Sequence, residues 1–198
     1  MSARQATRRG EVTTTDSTAL DDSSETTQRA EVAGRFVTTF VEGAGEVSTV
    51  FRRVLRESFE RHLGAVESEQ WYEVPAVVDA FEALAEEAGP ATMRKGGMEC
   101  AKIVEFDSRV GDIAGALAAL QTAHADAHHG PTAGNYTYDE PTERSVRVGI
   151  TADYPYGADF AEGVLLQTVR EFGPVDGVPV AERTAARDDE AAAWTLTW

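Results

Sequence analysis

Between residues 145 and 172 the hydrophobic pattern changes its period. Ser145-Val-Arg-Val-Gly-Ile-Thr151 alternates, with Val146, Val148 and Ile150 on one face, as a half-buried strand does. From Ala158 the apolar residues Phe160, Val164, Leu165, Val169 and Phe172 recur at helical spacing, and Gly173-Pro174 ends the run. The two patterns are joined by Asp153-Tyr-Pro-Tyr-Gly-Ala-Asp-Phe-Ala-Glu-Gly163. Pro155 pushes Tyr154 toward extended geometry, and Gly157 permits a sharp turn into the helix. A strand that enters a helix through so fixed a turn leaves few architectures open.

The flanking segments narrow them further. Asn135-Tyr-Thr-Tyr-Asp139 reads as a short strand, and Glu140-Pro-Thr-Glu143 as the turn after it. Val178–Thr184 reads as a third strand, whose Pro179 marks a sheet edge or a strand start. After a turn at 187–190, Ala192 to Trp198 alternates, with Trp194, Leu196 and Trp198 on one face. The C-terminal part, residues 131–198, is thus ββαββ, a mostly antiparallel sheet with a helix packed on one face. The fold class is α+β.

Residues 31–130 read as helical and should cover or extend that core. Residues 32–42 suit a strand or a short helix, broken by Gly43-Ala-Gly45. Val47, Val50, Phe51, Val54, Leu55 and Phe59 form one face of a helix over about 46–63. A second helix starts with Pro75 in its first turn, carries Val74, Val77, Val78, Phe81 and Leu84, and stops at Gly89-Pro90. Trp71 just ahead of it is expected to pack as an aromatic staple. A third helix spans Ala91 to about Phe106, with a glycine pair at 96–97 that suits close helix packing. A fourth is capped by Asp112, buries Ile113, Leu117 and Leu120, and ends near His128-His-Gly-Pro131. Residues 1–30 are Thr/Ser/Asp/Glu-rich with few large apolar groups and read as a disordered tail, leaving 31–198 as one domain.

Charge bounds the environment. The net charge is −16, and 34 acidic residues face only 18 basic ones, of which two are lysine. This pattern fits a salt-loaded cytoplasm, where the screening length shrinks to about 3 Å at 1 M salt and carboxylates keep the surface hydrated. No basic stripe is present to release counterions from phosphates, so nucleic acid is not an expected partner. No run of about 18 apolar residues offers a membrane span, and no apolar leader follows the start. A cytoplasmic protein is expected. The single cysteine, Cys100, excludes a disulfide within the chain and a thiolate metal cluster.

Motifs for chemistry are sparse. There is no GxSxG elbow, no GxGxxG and no phosphate-binding P-loop. His124 and His128, four apart, share a helical face and suit a two-histidine metal site, though a third ligand must come from elsewhere. The plainer reading is a helix C-terminus that favours histidine by its dipole and by solvation. Cys100 lacks a local base and reads as a buried structural residue. Tyr154, Tyr156 and Phe160 either line a cleft between sheet and helix or plug the core; Trp71 and Met98 are further candidates for a cleft wall.

The runs Ala152–Val164, Gly134-Asn-Tyr-Thr-Tyr138 and Trp194-Thr-Leu-Thr-Trp198, with the upstream segment Trp71–Pro90, resemble a halophile family. That family is similar to the 4-vinyl reductase-type and heme-nitric-oxide-type ligand-binding domains. The resemblance covers roughly residues 30–198. It implies a helical part before the strands, a turn opening a helix, and a possible apolar pocket in a sensor that pairs as a homodimer. It also implies departures. The family's turn cysteine corresponds to Gly157, and its two later cysteines fall near Ala185 or Ala186 and at about Ala192. Thiolate chemistry is therefore not expected, and the Tyr-x-Ser-x-Arg pattern of heme sensors is missing, so no cofactor is expected. The leading expectation is a non-catalytic small-molecule sensor or interaction module with an apolar ligand. The alternatives are a small enzyme or metal protein using His124 and His128, and a structural dimerisation protein whose aromatics are core.

Overall fold

The structure, a computed structural model, describes residues 29–47, 49–104, 106, 108–130, 133–174 and 176–198. The expected tail lies outside these residues up to position 28. Arg29 and Ala30 already belong to the fold: Ala30 is buried and Arg29 pairs with Glu73 at 3.0 Å.

The helical part begins with strand β1 (Glu31–Ala33) and helix α1 (Gly34–Val47), followed by α2 (Thr49–Leu63) and β2 (Trp71–Glu73). It continues with α3 (Val74–Ala88), α4 (Pro90–Ile103), α5 (Ile113–Ala127) and β3 (His128–His129). The segment left open between strand and helix is both in turn. The glycine pair at 43 and 45 does not break α1, because a helix whose Val37 and Phe40 are fully buried tolerates weak local propensity. On α2, Leu55 and Phe59 are buried as the pattern implies; the side chains of Val47, Val50 and Phe51 lie outside the described residues. A three-stranded antiparallel sheet, ordered β2-β1-β3, was not foreseen; its strands are two or three residues long and carry no periodic signal. It also corrects the role of Trp71. The indole is no staple: it is 36% exposed and stacks on His129 across the sheet's outer side at 3.6 Å.

The C-terminal part follows the ββαββ expectation. It comprises β4 (Tyr136–Tyr138), β5 (Ser145–Thr151), α6 (Ala158–Phe172), β6 (Val180–Thr184) and β7 (Glu190–Thr197). The sheet order is β4-β5-β7-β6, with every neighbouring pair antiparallel. Val146, Val148 and Ile150 of β5 and Trp194 and Leu196 of β7 are buried on the face that receives α6. On the other face Gly149 leaves room for the Glu190 carboxylate; a Cβ there would meet Oε1 at 2.3 Å. That carboxylate accepts from Thr137, from the Arg187 amide and from both terminal nitrogens of Arg147.

The two parts meet along α4 and α6. A Cβ on Gly97 would stand 2.1 Å from the Phe160 carbonyl, and one on Gly163 would stand 1.9 Å from the Arg94 carbonyl. The helices therefore touch backbone to backbone, and Arg94 bridges them by an ion pair to Glu162 at 2.8 Å. Beside this crossing Phe40, Phe59, Phe81 and Phe160 pack as one aromatic cluster, with centroids 4.7–6.0 Å apart.

Candidate functional site

Where α1, α4, α5 and α6 fail to close on one another, a cavity of about 560 Å³ remains. That volume lies within the roughly 300–1,000 Å³ of small-molecule sites. Phe36 and Thr39 enter it from α1, Cys100, Ala101 and Val104 from α4 and its end, and Leu120, Ala123, His124 and Ala127 from α5. Phe160 and Val164 complete it from α6, with Tyr136 of β4 and Tyr154 of the turn. Arg35 and Asp126, both exposed, mark its mouth. Small side chains on facing turns of α4 and α5 keep the space open.

Local sequence fixes each wall. Asp112 caps α5, accepting from the Gly115 amide at 2.8 Å. The helix ends where His128 pairs with Val32 of β1. Pro155 separates two inward tyrosines, and Gly157 sits at φ 73°, ψ 159°, a conformation essentially reserved for glycine. The turn thereby delivers Tyr154 to the cavity and Phe160 to the start of α6.

Behind the wall runs a buried polar chain. The Tyr136 and Tyr154 hydroxyls lie 2.6 Å apart. The His124 ring is stacked between Tyr154, at 5.2 Å, and His128, at 4.1 Å. His128 donates from Nδ1 to the His124 carbonyl at 2.6 Å, so its Nε2 is free to accept from the Tyr156 hydroxyl. His124 donates from Nε2 to the Ala133 carbonyl at 2.9 Å. Burial sets the electrostatics. It holds His124 below its ordinary range, and with the neighbouring His124 charge it brings His128 down to about 4. It raises Tyr136, Tyr154 and Tyr156, and it pushes the Cys100 thiol up to about 12. At neutral pH every one of these groups is uncharged. Such a wall suits recognition of a neutral guest, and its thiol is no nucleophile.

Of the residues singled out from sequence, Tyr154 and Phe160 line the cavity. Tyr156 lies behind it, stacked on Phe36 at 4.9 Å. Met98 is half-buried on α4, its backbone against α6 at Gly163. Trp71 is on the outer sheet. The histidines are not the solvated pair of a helix end. They are buried, and among the described residues no group of three His, Cys, Asp or Glu side chains can hold a metal. Tyr136, Phe36 and Cys100 are wall residues that sequence reasoning did not assign there. Tyr136 alone had a signal, its place in the short strand ahead of the turn.

No family model matches this chain, and no curated protein matches it. Solved structures do. An unliganded Fe(II) H-NOX protein from K. algicida is 11% identical, with TM-score 0.59, over 83% of this chain and 95% of that one. An oxygen-binding H-NOX domain related to soluble guanylate cyclases is 12% identical, with TM-score 0.55, over 82% and 92%. A heme protein whose porphyrin is distorted by its protein surroundings is 12% identical, with TM-score 0.57, over 84% and 99%. The chain has the H-NOX fold.

Those neighbours bring heme into question, and the residues here do not fit it. An axial histidine needs an open nitrogen. Both nitrogens of His128 are bonded, the outer nitrogen of His124 is turned to Ala133, and both faces of the His124 ring are covered. Cys100 stays a thiol. Among the described residues one cation, Arg35, lines the cavity where two propionates would need partners, and it already donates to the Asp126 carbonyl at 3.0 Å.

Proposed function

We propose that this chain is a non-catalytic sensor or regulatory domain whose cavity binds one small apolar molecule without heme. The observation that carries this reading is the cavity itself, about 560 Å³ with an uncharged interior of aliphatic, aromatic and phenolic groups. The H-NOX fold supports it, since an oxygen-binding domain shares that fold. Tyr154 and Phe160 serve as ligand contacts. Tyr156 sets the wall from behind, while Met98 and Trp71 lie outside the cavity lining. The chain works in a salt-rich cytoplasm, and a second copy is its first candidate partner.

The test is a thermal shift with ethylnaphthalene, a neutral probe of suitable size. A guest at a hundred times its Kd adds about 2.7 kcal/mol, so the Tm should rise by about 5–10 °C. Ala123→Phe, which fills the cavity from α5, should abolish the rise while leaving the unliganded protein folded. An unchanged Tm in the parent chain, or an equal rise in the variant, would remove the proposal.

A further inference from the structure

We propose that the natural guest is a neutral carbonyl compound with an apolar body, its carbonyl oxygen accepting a hydrogen bond from the Tyr136–Tyr154 hydroxyl pair. This rests on the cavity reading above. Tyr136 and Tyr154 are 3% and 8% exposed, and both line the cavity. Their hydroxyls, 2.6 Å apart, carry two protons between them, and the bond they share uses one. The second has no acceptor among the described residues, within which neither hydroxyl makes another hydrogen bond. The contrast is Tyr156, whose proton goes to His128 and closes that branch of the chain.

A buried donor left without an acceptor is destabilising, and a guest that brings one removes the penalty. A carbonyl supplies an acceptor and adds no donor needing a partner of its own. The rest of the guest meets Phe36, Leu120, Phe160 and Val164, so its body is apolar. A carboxylate is disfavoured. It would lose its hydration among neutral groups, and Arg35, the one lining cation among the described residues, is exposed at the mouth, away from the tyrosine pair.

Three probes with one body decide this: acetylnaphthalene, ethylnaphthalene and naphthoate, titrated by calorimetry into the full chain. The ketone should bind about three- to tenfold tighter than the hydrocarbon, the worth of one hydrogen bond, and the carboxylate weakest. Tyr136→Phe and Tyr154→Phe should each keep the ketone preference, because either surviving hydroxyl is then free to donate. The double variant should lose the preference while still binding ethylnaphthalene, which shows that its cavity is intact. Equal affinity for ketone and hydrocarbon in the parent chain, or a preference that survives the double replacement, overturns the proposal and leaves the cavity reading standing. Failure of all three probes to bind overturns both.

Discussion

His128 is neutral in the fold because it is buried, with the neighbouring His124 acting in the same direction, and its Nε2 lone pair accepts from the Tyr156 hydroxyl. In the unfolded chain it titrates near 6.5 and in the fold at about 4. The unfolded state therefore takes up the proton first. The stability this residue contributes is whole above about pH 6.5 and is lost as pH falls from there toward about 4. Urea unfolding followed across that window should show a decline on the order of 3 kcal/mol. Replacing both partners by phenylalanine, at 128 and 156, should make the slope shallower, whereas Tyr156→Phe alone should cost about 1–2 kcal/mol by stranding the imidazole. A pH slope unchanged in the double variant would show that His128 is not the titrating group. Glu190 acts in a separate window. Its bonds to Arg147 bring it to about 2, so its contribution stands above about 4.5 and fades only below that. Glu190→Gln should cost about 3 kcal/mol at pH 7, since it leaves the Arg147 charge half-buried without its partner.

At the scale of elements the α4–α6 crossing decides whether the cavity exists. Gly97→Ala or Gly163→Ala places a methyl into a facing carbonyl, a clash that no rotamer relieves. Each should cost about 3 kcal/mol or more, measured by chemical denaturation. Gly157→Ala should cost about 1–3 kcal/mol for a different reason, backbone strain, since nothing lies near its missing Cβ. That separation also explains what was legible in the sequence. The strands β5 and β7 and the helix α6 announce themselves by period, because each buries one face on the other and the pattern records it. Gly96-Gly97 reads as a packing site for the same reason, although its partner Gly163 is visible only in three dimensions. The β1–β2–β3 sheet left no trace, since strands of two or three residues are too short to show a period. The cavity was half legible. Tyr154 and Phe160 sit beside a turn that proline and glycine betray. Cys100, Ala101 and Ala123 line a space defined by what neighbouring helices fail to fill, and no local pattern encodes a gap. The same limit hid the surroundings of His124 and His128: their helical spacing allowed a solvated helix end or a metal pair, whereas both rings are buried, with both nitrogens of His128 and Nε2 of His124 committed to His124, Tyr156 and Ala133.

At the scale of the whole molecule, charge and fold point to different questions. A net charge of −16 repels itself most at low ionic strength. We expect the Tm to fall steeply below about 0.5 M salt, where screening weakens; a flat response between low and high salt would remove the halophile reading. Edge-to-edge pairing of two copies through the last strand is excluded by the sheet order, because β7 lies inside it between β5 and β6. Among the described residues no helix is long and apolar enough to cross a membrane. The H-NOX fold is thus present with a neutral, aromatic cavity and without a ready ligand for heme iron. The most direct test of that account is native mass spectrometry, with an absorption spectrum, of the chain isolated from the organism that encodes it. The account predicts one small organic guest per chain, no heme absorption, and loss of the guest in Ala123→Phe. A bound heme, with a histidine-ligated spectrum that His124→Ala abolishes, would contradict it.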